Sequence, residues 1–161
     1  VNQKNEVYNS FAMNRSNART NWPRGGNLES RVEIARRAFL DAPVKRRLFI
    51  SFHADIDANA PEAPLVLYYE SSNGRNQDRA SKRFARALLP ALGAGARARG
   101  QPLGVLRRNP ADVKVLVELR NLAYTDHAWA LRFEELRQRD AEKVIKGILD
   151  YAGSEARSAS R

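Results

Sequence analysis

Arg47-Leu48-Phe49-Ile50-Ser51-Phe52-His53-Ala54-Asp55 is an apolar run that ends in a histidine and an aspartate. Its residues favour a pleated backbone, and its near-continuous apolarity predicts a central strand covered on both faces. Val113-Lys114-Val115-Leu116-Val117-Glu118 reads as a second buried strand with a carboxylate at its end. Open α/β sheets set their reactive groups just beyond strand ends. Two such strands would therefore bring His53 and Glu118 into one crevice.

Working outward, Leu28, Val32, Ala35, Phe39 and Leu40 recur on one helical face, so 28–41 is expected to be an amphipathic helix. Asn27 would be its N-cap and Pro43 its end. Val7, Phe11 and Met13 hint at a strand before it. After the 55–64 loop, Leu65–Tyr69 is a strand and Ser71–Gly74 a turn. A helical stripe through Ala80, Phe84, Ala87, Leu88, Ala91 and Leu92 predicts a helix from Gln77 to about Arg99, with Pro90 kinking or shortening it. Leu103–Leu106 is expected to be a short strand. A last helix over roughly 137–151 would turn Ala141, Val144, Ile145, Ile148 and Leu149 inward. Alternating helices and strands predict a three-layer α-β-α domain with a mixed, largely parallel sheet. One domain over 1–152 is expected, followed by a small, polar and disordered tail at 153–161.

The chain has 161 residues, 43% of them hydrophobic, which suits one globular domain with a real core. No run approaches the roughly 20 apolar residues of a membrane helix. The opening Val1-Asn2-Gln3-Lys4 shows no signal-peptide pattern and no initiator Met, as in a mature or truncated form. Cysteine is absent, which excludes disulfides and thiolate metal sites. The net charge of +10 favours polyanionic partners, either nucleic acid or an anionic cell envelope. The arginines are scattered and not interleaved with aromatics, and no nucleic-acid recognition motif is present.

With two histidines in all, metal chemistry has few candidates. His53, held at a strand end, is a candidate zinc ligand; the plainer reading is an imidazole hydrogen-bonded by a neighbour such as Asp55. Glu118 replaces an apolar residue where a buried strand would otherwise continue. In a low-dielectric crevice its pKa should rise, which suits a general base. The plainer reading is an ion pair with Arg120. His127, in Tyr124-Thr125-Asp126-His127, reads as structural, with Asp126 a cap for the helix that follows. No Gly-rich phosphate loop, His-Glu-x-x-His or Gly-x-Ser-x-Gly motif is present.

Taken in order, four segments resemble the catalytic domain of zinc-dependent N-acetylmuramoyl-L-alanine amidases. They are Asn27–Ala35 (with Met13-Asn14-Arg15 before it), Leu48–Asp55, Val115–Glu118, and Asn121–Leu136 with the terminal helix. The likeness spans about 11–152. It implies that His53 ligates Zn2+, that Glu118 activates the zinc-bound water, and that peptidoglycan is the substrate in a periplasmic or extracellular setting. It further implies two more ligands, a histidine and a glutamate, on a first strand and helix. Here Glu6 is the sole acid before Asn14, and its context does not match, so the expectation is a missing N-terminal segment or a second chain. Leu119-Arg120 also departs from the small and aromatic residues that follow the family's glutamate. A catalytically inactive, wall-binding module of the same fold and a basic nucleic-acid-binding α/β domain are the alternatives.

Overall fold

The computed structural model describes residues 26–40 and 47–159. The strand expected around Val7–Met13, the Met13-Asn14-Arg15 segment, Glu6 and Pro43 lie outside them. Among the described residues five helices and four strands follow one another: α1 (Gly26–Leu40), β1 (Leu48–Asp55), β2 (Leu65–Tyr69), α2 (Arg79–Leu92), β3 (Arg97–Gln101), α3 (Gly104–Arg107), β4 (Val113–Asn121), α4 (Thr125–Ala130) and α5 (Glu134–Ala159). The sheet order is β1-β4-β2-β3. β1 pairs with β4 in parallel, as does β2 with β3, while β2 and β4 are antiparallel. The sheet is mixed, as expected.

Alternation along the strands builds two cores, one on each face. Val66, Tyr68, Val113, Val115 and Val117 meet Phe84, Leu88 and Leu92 of α2 and Val144 of α5. Leu67 and Leu116 meet Val105 and Leu106 of α3 on the other face, where Phe49 and Leu65 also pack. Helices therefore cover both faces, which makes three layers. Val115 and Val117 are fully buried, so β4 is the middle of the sheet.

The doubly covered central strand expected over 47–53 is met only in part. Among the described residues β1 lies at an edge of the sheet. Ile50 and Phe49 reach the two cores, but Leu48 and Phe52 stay exposed, Phe52 at 57%. A short apolar run specifies a strand without specifying how many neighbours it has.

The stretch 93–106 is also corrected. α2 begins at an Asp78 cap, whose side chain accepts from the Ser81 N–H at 3.0 Å. It stops at Leu92, two residues past Pro90, because Gly93 (φ 108°) and Gly95 (φ 81°) take backbone conformations no helix continues through. The chain then returns as strand β3, not as more helix. Leu103–Leu106, expected as a strand, caps and opens the short helix α3, which buries Val105 and Leu106. Four apolar residues fit one helical turn as well as a strand.

α5 runs to Ala159, beyond the expected 137–151, and takes in most of the stretch assigned to a disordered tail. Val144, Ile148 and Tyr151 face the core, while Ile145 and Leu149 point outward at 52% and 65% exposure. Leu40 of α1, also expected inward, is exposed. Asn27 lies inside α1 and is not its cap, since the helix starts at Gly26.

The α2–α5 contact depends on Gly147. A methyl built there would sit 2.6 Å from Leu88 Cδ2 and 3.2 Å from Leu88 Cα. Nearby, Tyr151 meets Phe84 edge-on, with ring centroids 5.0 Å apart. Gly147→Ala should force the helices apart and cost about 1–3 kcal/mol. Gly153→Ala, with only the flexible Arg157 guanidinium at 3.6 Å, should instead stabilise by about 0.5–1 kcal/mol. Urea denaturation of the two variants checks this; equal behaviour would contradict it.

Candidate active site

His53 and Glu118 are register partners on neighbouring parallel strands. Paired residues point to the same face of a sheet, and here Leu65, the partner of Glu118 on its other side, identifies that face as the α3 side. His53 Nδ1 lies 3.9 Å from Glu118 Oε1. Nε2 lies 3.0 Å from Ser51 Oγ, two residues back on the same face. One step further the register shifts: Ala54 faces Arg120, leaving Leu119 as an extra residue in β4. Such bulges sharpen the local twist and re-aim side chains beside a site.

Glu118 has 15% of its side-chain surface exposed, and Oε2 is buried with no hydrogen-bond partner. Burial, and secondarily the charge of Asp55, push its pKa up from 4.5 to about 7. The expected rise is therefore present. The alternative, an ion pair with Arg120, is not formed. Arg120 Nε and Nη2 instead donate to Asp140 of α5 at 2.7 and 3.1 Å. The bulge residue Leu119 packs against the α2–α5 core.

Asn121, which sequence reasoning passed over, fixes the wall of the site. It is 3% exposed. Its Oδ1 accepts from the N–H groups of Asp57 (3.2 Å) and Ala123 (3.0 Å), and its Nδ2 donates to the Asp57 carbonyl at 2.7 Å. His127 is buried, and its Nδ1 accepts from the Asn121 N–H at 3.1 Å. It acts as a backbone acceptor, in keeping with the structural reading. Asp126 lies in the first turn of α4 and makes no side-chain cap there. Tyr124 Oη donates to the Ala60 carbonyl at 2.9 Å. The 55–64 loop is thus tied down from the end of β4.

Loop and sheet enclose a cleft of about 340 Å³. Asp55, Asp57 and Glu118 line it toward β1 and β4, and Arg97 and Arg99 line it from β3. The two arginines fall in a stretch whose sequence reads as helix, so nothing in the chain's periodicity pointed to them.

Zinc in such a site needs about three protein ligands. The orphaned Glu118 oxygen and the adjacent imidazole are suitable donors, but among the described residues no group of three His, Cys, Asp or Glu side chains could hold a metal. The described residues do not by themselves fit a catalytic zinc. They provide one imidazole and one desolvated carboxylate.

The architecture is a three-layer α/β domain with an imidazole and a carboxylate paired near its strand ends. No family model matches the chain, and no curated protein matches it. Solved structures do: the fold is that of N-acetylmuramoyl-L-alanine amidase catalytic domains. CwlV from Bacillus (Paenibacillus) polymyxa var. colistinus is 26% identical, with a TM-score of 0.55, over 78% of this chain and 65% of that one. AmiC2 of Nostoc punctiforme is 23% identical, with a TM-score of 0.56, over 78% and 65%. The CwlD amidase from Clostridioides difficile, solved in complex with the GerS lipoprotein, is 20% identical, with a TM-score of 0.59, over 80% and 62%. The chain thus spans less than two thirds of each of these structures. No helix among the described residues is long and apolar enough to cross a membrane.

The raised pKa of Glu118 has a consequence for stability in chelator-treated protein. The folded state holds this proton more tightly than the unfolded chain, so stability falls as pH rises from about 4.5 through about 7. Glu118→Gln removes that loss. Urea denaturation should find the variant more stable than the parent at pH 8, by up to a few kcal/mol, with the gap closing at pH 4. A pH-independent difference would contradict the assignment.

Proposed function

We propose that this domain is a peptidoglycan hydrolase that cleaves the amide between the lactyl group of N-acetylmuramic acid and L-alanine of the stem peptide. The observation that carries the reading is His53 beside a desolvated Glu118 that lines the cleft of an amidase fold. At a pKa near 7, Glu118 exchanges a proton readily at neutral pH. As base, it takes a proton from the water that adds to the amide carbonyl. As acid, it returns that proton to the departing alanine nitrogen as the C–N bond breaks. The products are a lactyl carboxylate and a free stem-peptide amine.

The resemblance to zinc amidases assigns His53 as a ligand of Zn2+, which would polarise the amide carbonyl. No step is assigned to the metal, because the described residues do not complete its ligand set. Action on peptidoglycan would put the domain in the periplasm or outside the cell, where a net charge of +10 would hold it to an anionic envelope. The incomplete ligand set favours a second reading, a non-catalytic wall-binding module of the same fold.

Purified sacculi separate the two. The hydrolase releases stem peptides, and Glu118→Gln lowers that release at least about 100-fold. Any zinc that the parent holds with ligands beyond the described residues should stay in Glu118→Gln and be lost in His53→Ala. Activity retained in Glu118→Gln would overturn the mechanism. Sacculus binding by the parent chain with no release of peptide would favour the binding module.

A further inference from the structure

Across the sheet, one row of register partners runs His53, Glu118, Leu65, Arg97 over β1, β4, β2 and β3. All four point to the same face. Arg97 therefore stands two strand spacings from Glu118, about 10 Å away between backbones, on the opposite wall of the same cleft. Its side chain is exposed. Arg99 lies on the same face one pleat along, in the row of Leu67 and Leu116. With the Gln101 amide turned to accept, Arg99 Nη2 donates to it at 2.6 Å. The cleft's third arginine, Arg120, is engaged by Asp140. The acids lie toward β1 and β4 and the guanidiniums at β3, so the cleft is polarised along the sheet.

We infer that Arg97 is a substrate-binding residue that selects stem peptides carrying a free α-carboxylate on their second residue. This rests on the hydrolase reading for the direction of the substrate: the scissile amide at His53 and Glu118, the peptide leading toward β3. Two residues of extended peptide span about 7 Å, which sets the second residue's carboxylate within reach of an arginine about 10 Å from the reaction centre. A guanidinium pairs a carboxylate through two parallel N–H donors and gains nothing comparable from a neutral carboxamide. Amidation of that one carboxyl group is therefore the discriminating change. Arg97 would position the peptide; it takes no part in moving protons.

The test uses two muramyl tripeptides, N-acetylmuramoyl-L-Ala-γ-D-Glu-L-Lys and its analogue with D-isoglutamine at the second residue. Affinity is read by calorimetry on Glu118→Gln, which holds the substrate uncleaved, and kcat/KM on the parent chain. The acid form should bind and react about tenfold better than the amide. Arg97→Gln should erase that preference by weakening only the acid form, and Arg97→Lys should restore part of it. Circular dichroism checks that the variants stay folded. Equal treatment of acid and amide, in affinity by Glu118→Gln and in rate by the parent, overturns the assignment and leaves Arg97 as a solvated edge-strand charge. A preference in affinity without hydrolysis of either compound supports Arg97 and overturns the hydrolase reading. Rapid hydrolysis of both with no preference does the reverse.

Discussion

The structure depends on a carboxylate held where a strand would otherwise stay apolar. Glu118 lies on the central strand, flanked by His53 on one side and Leu65 on the other. Its Oε2 has neither water access nor a hydrogen-bond donor. An unsatisfied buried polar atom is costly, and an ionised one more so. The two cores on either face of β4 hold it there: Val115 and Val117 are sealed beneath α2 and α5, and Leu116 beneath α3. Strain of this kind is expected where function requires it and packing elsewhere offsets it.

The surrounding charges are arranged so that no arginine pairs with Glu118. Arg120, two residues on, would be the natural counter-ion. The bulge at Leu119 lets it turn to Asp140 of α5 instead, at 2.7 Å. Asp55, on the next strand, adds a like charge that raises the pKa of Glu118 further. Asn121 and His127 then lock the loop after β1 onto the end of β4. One irregularity in one strand thus separates the salt bridge from the reactive carboxylate and keeps both within a few residues.

Much of this was legible in the chain. The two strands that carry the site could be read from their composition, β2 from its short apolar run, and α2 from its period of 3.6. The likeness of His53 and Glu118 to an amidase's residues followed from ordered segments. Other features were not legible, for physical reasons. Arg97–Gln101 has no apolar alternation because it is an edge strand with arginines facing solvent, so it passed for helix. Leu103–Leu106 was too short for its period to be read. Ile145 and Leu149 fit a helical stripe by spacing, yet lie just off the face that meets α2. Asn121 carries no sequence signal, because its importance comes from a loop that is 64 residues away in sequence and returns beside it.

The central claim is that residues 53 and 118 stand side by side on neighbouring strands. The chain has no cysteine, so the double variant His53→Cys/Glu118→Cys carries the only two thiols. Treating the folded monomer with dibromobimane, which fluoresces once it has bridged two nearby thiols, measures their proximity. The account predicts a fluorescent, intramolecularly bridged monomer, with neither single variant giving the signal. Two separate single-thiol adducts and no bridged product would contradict it.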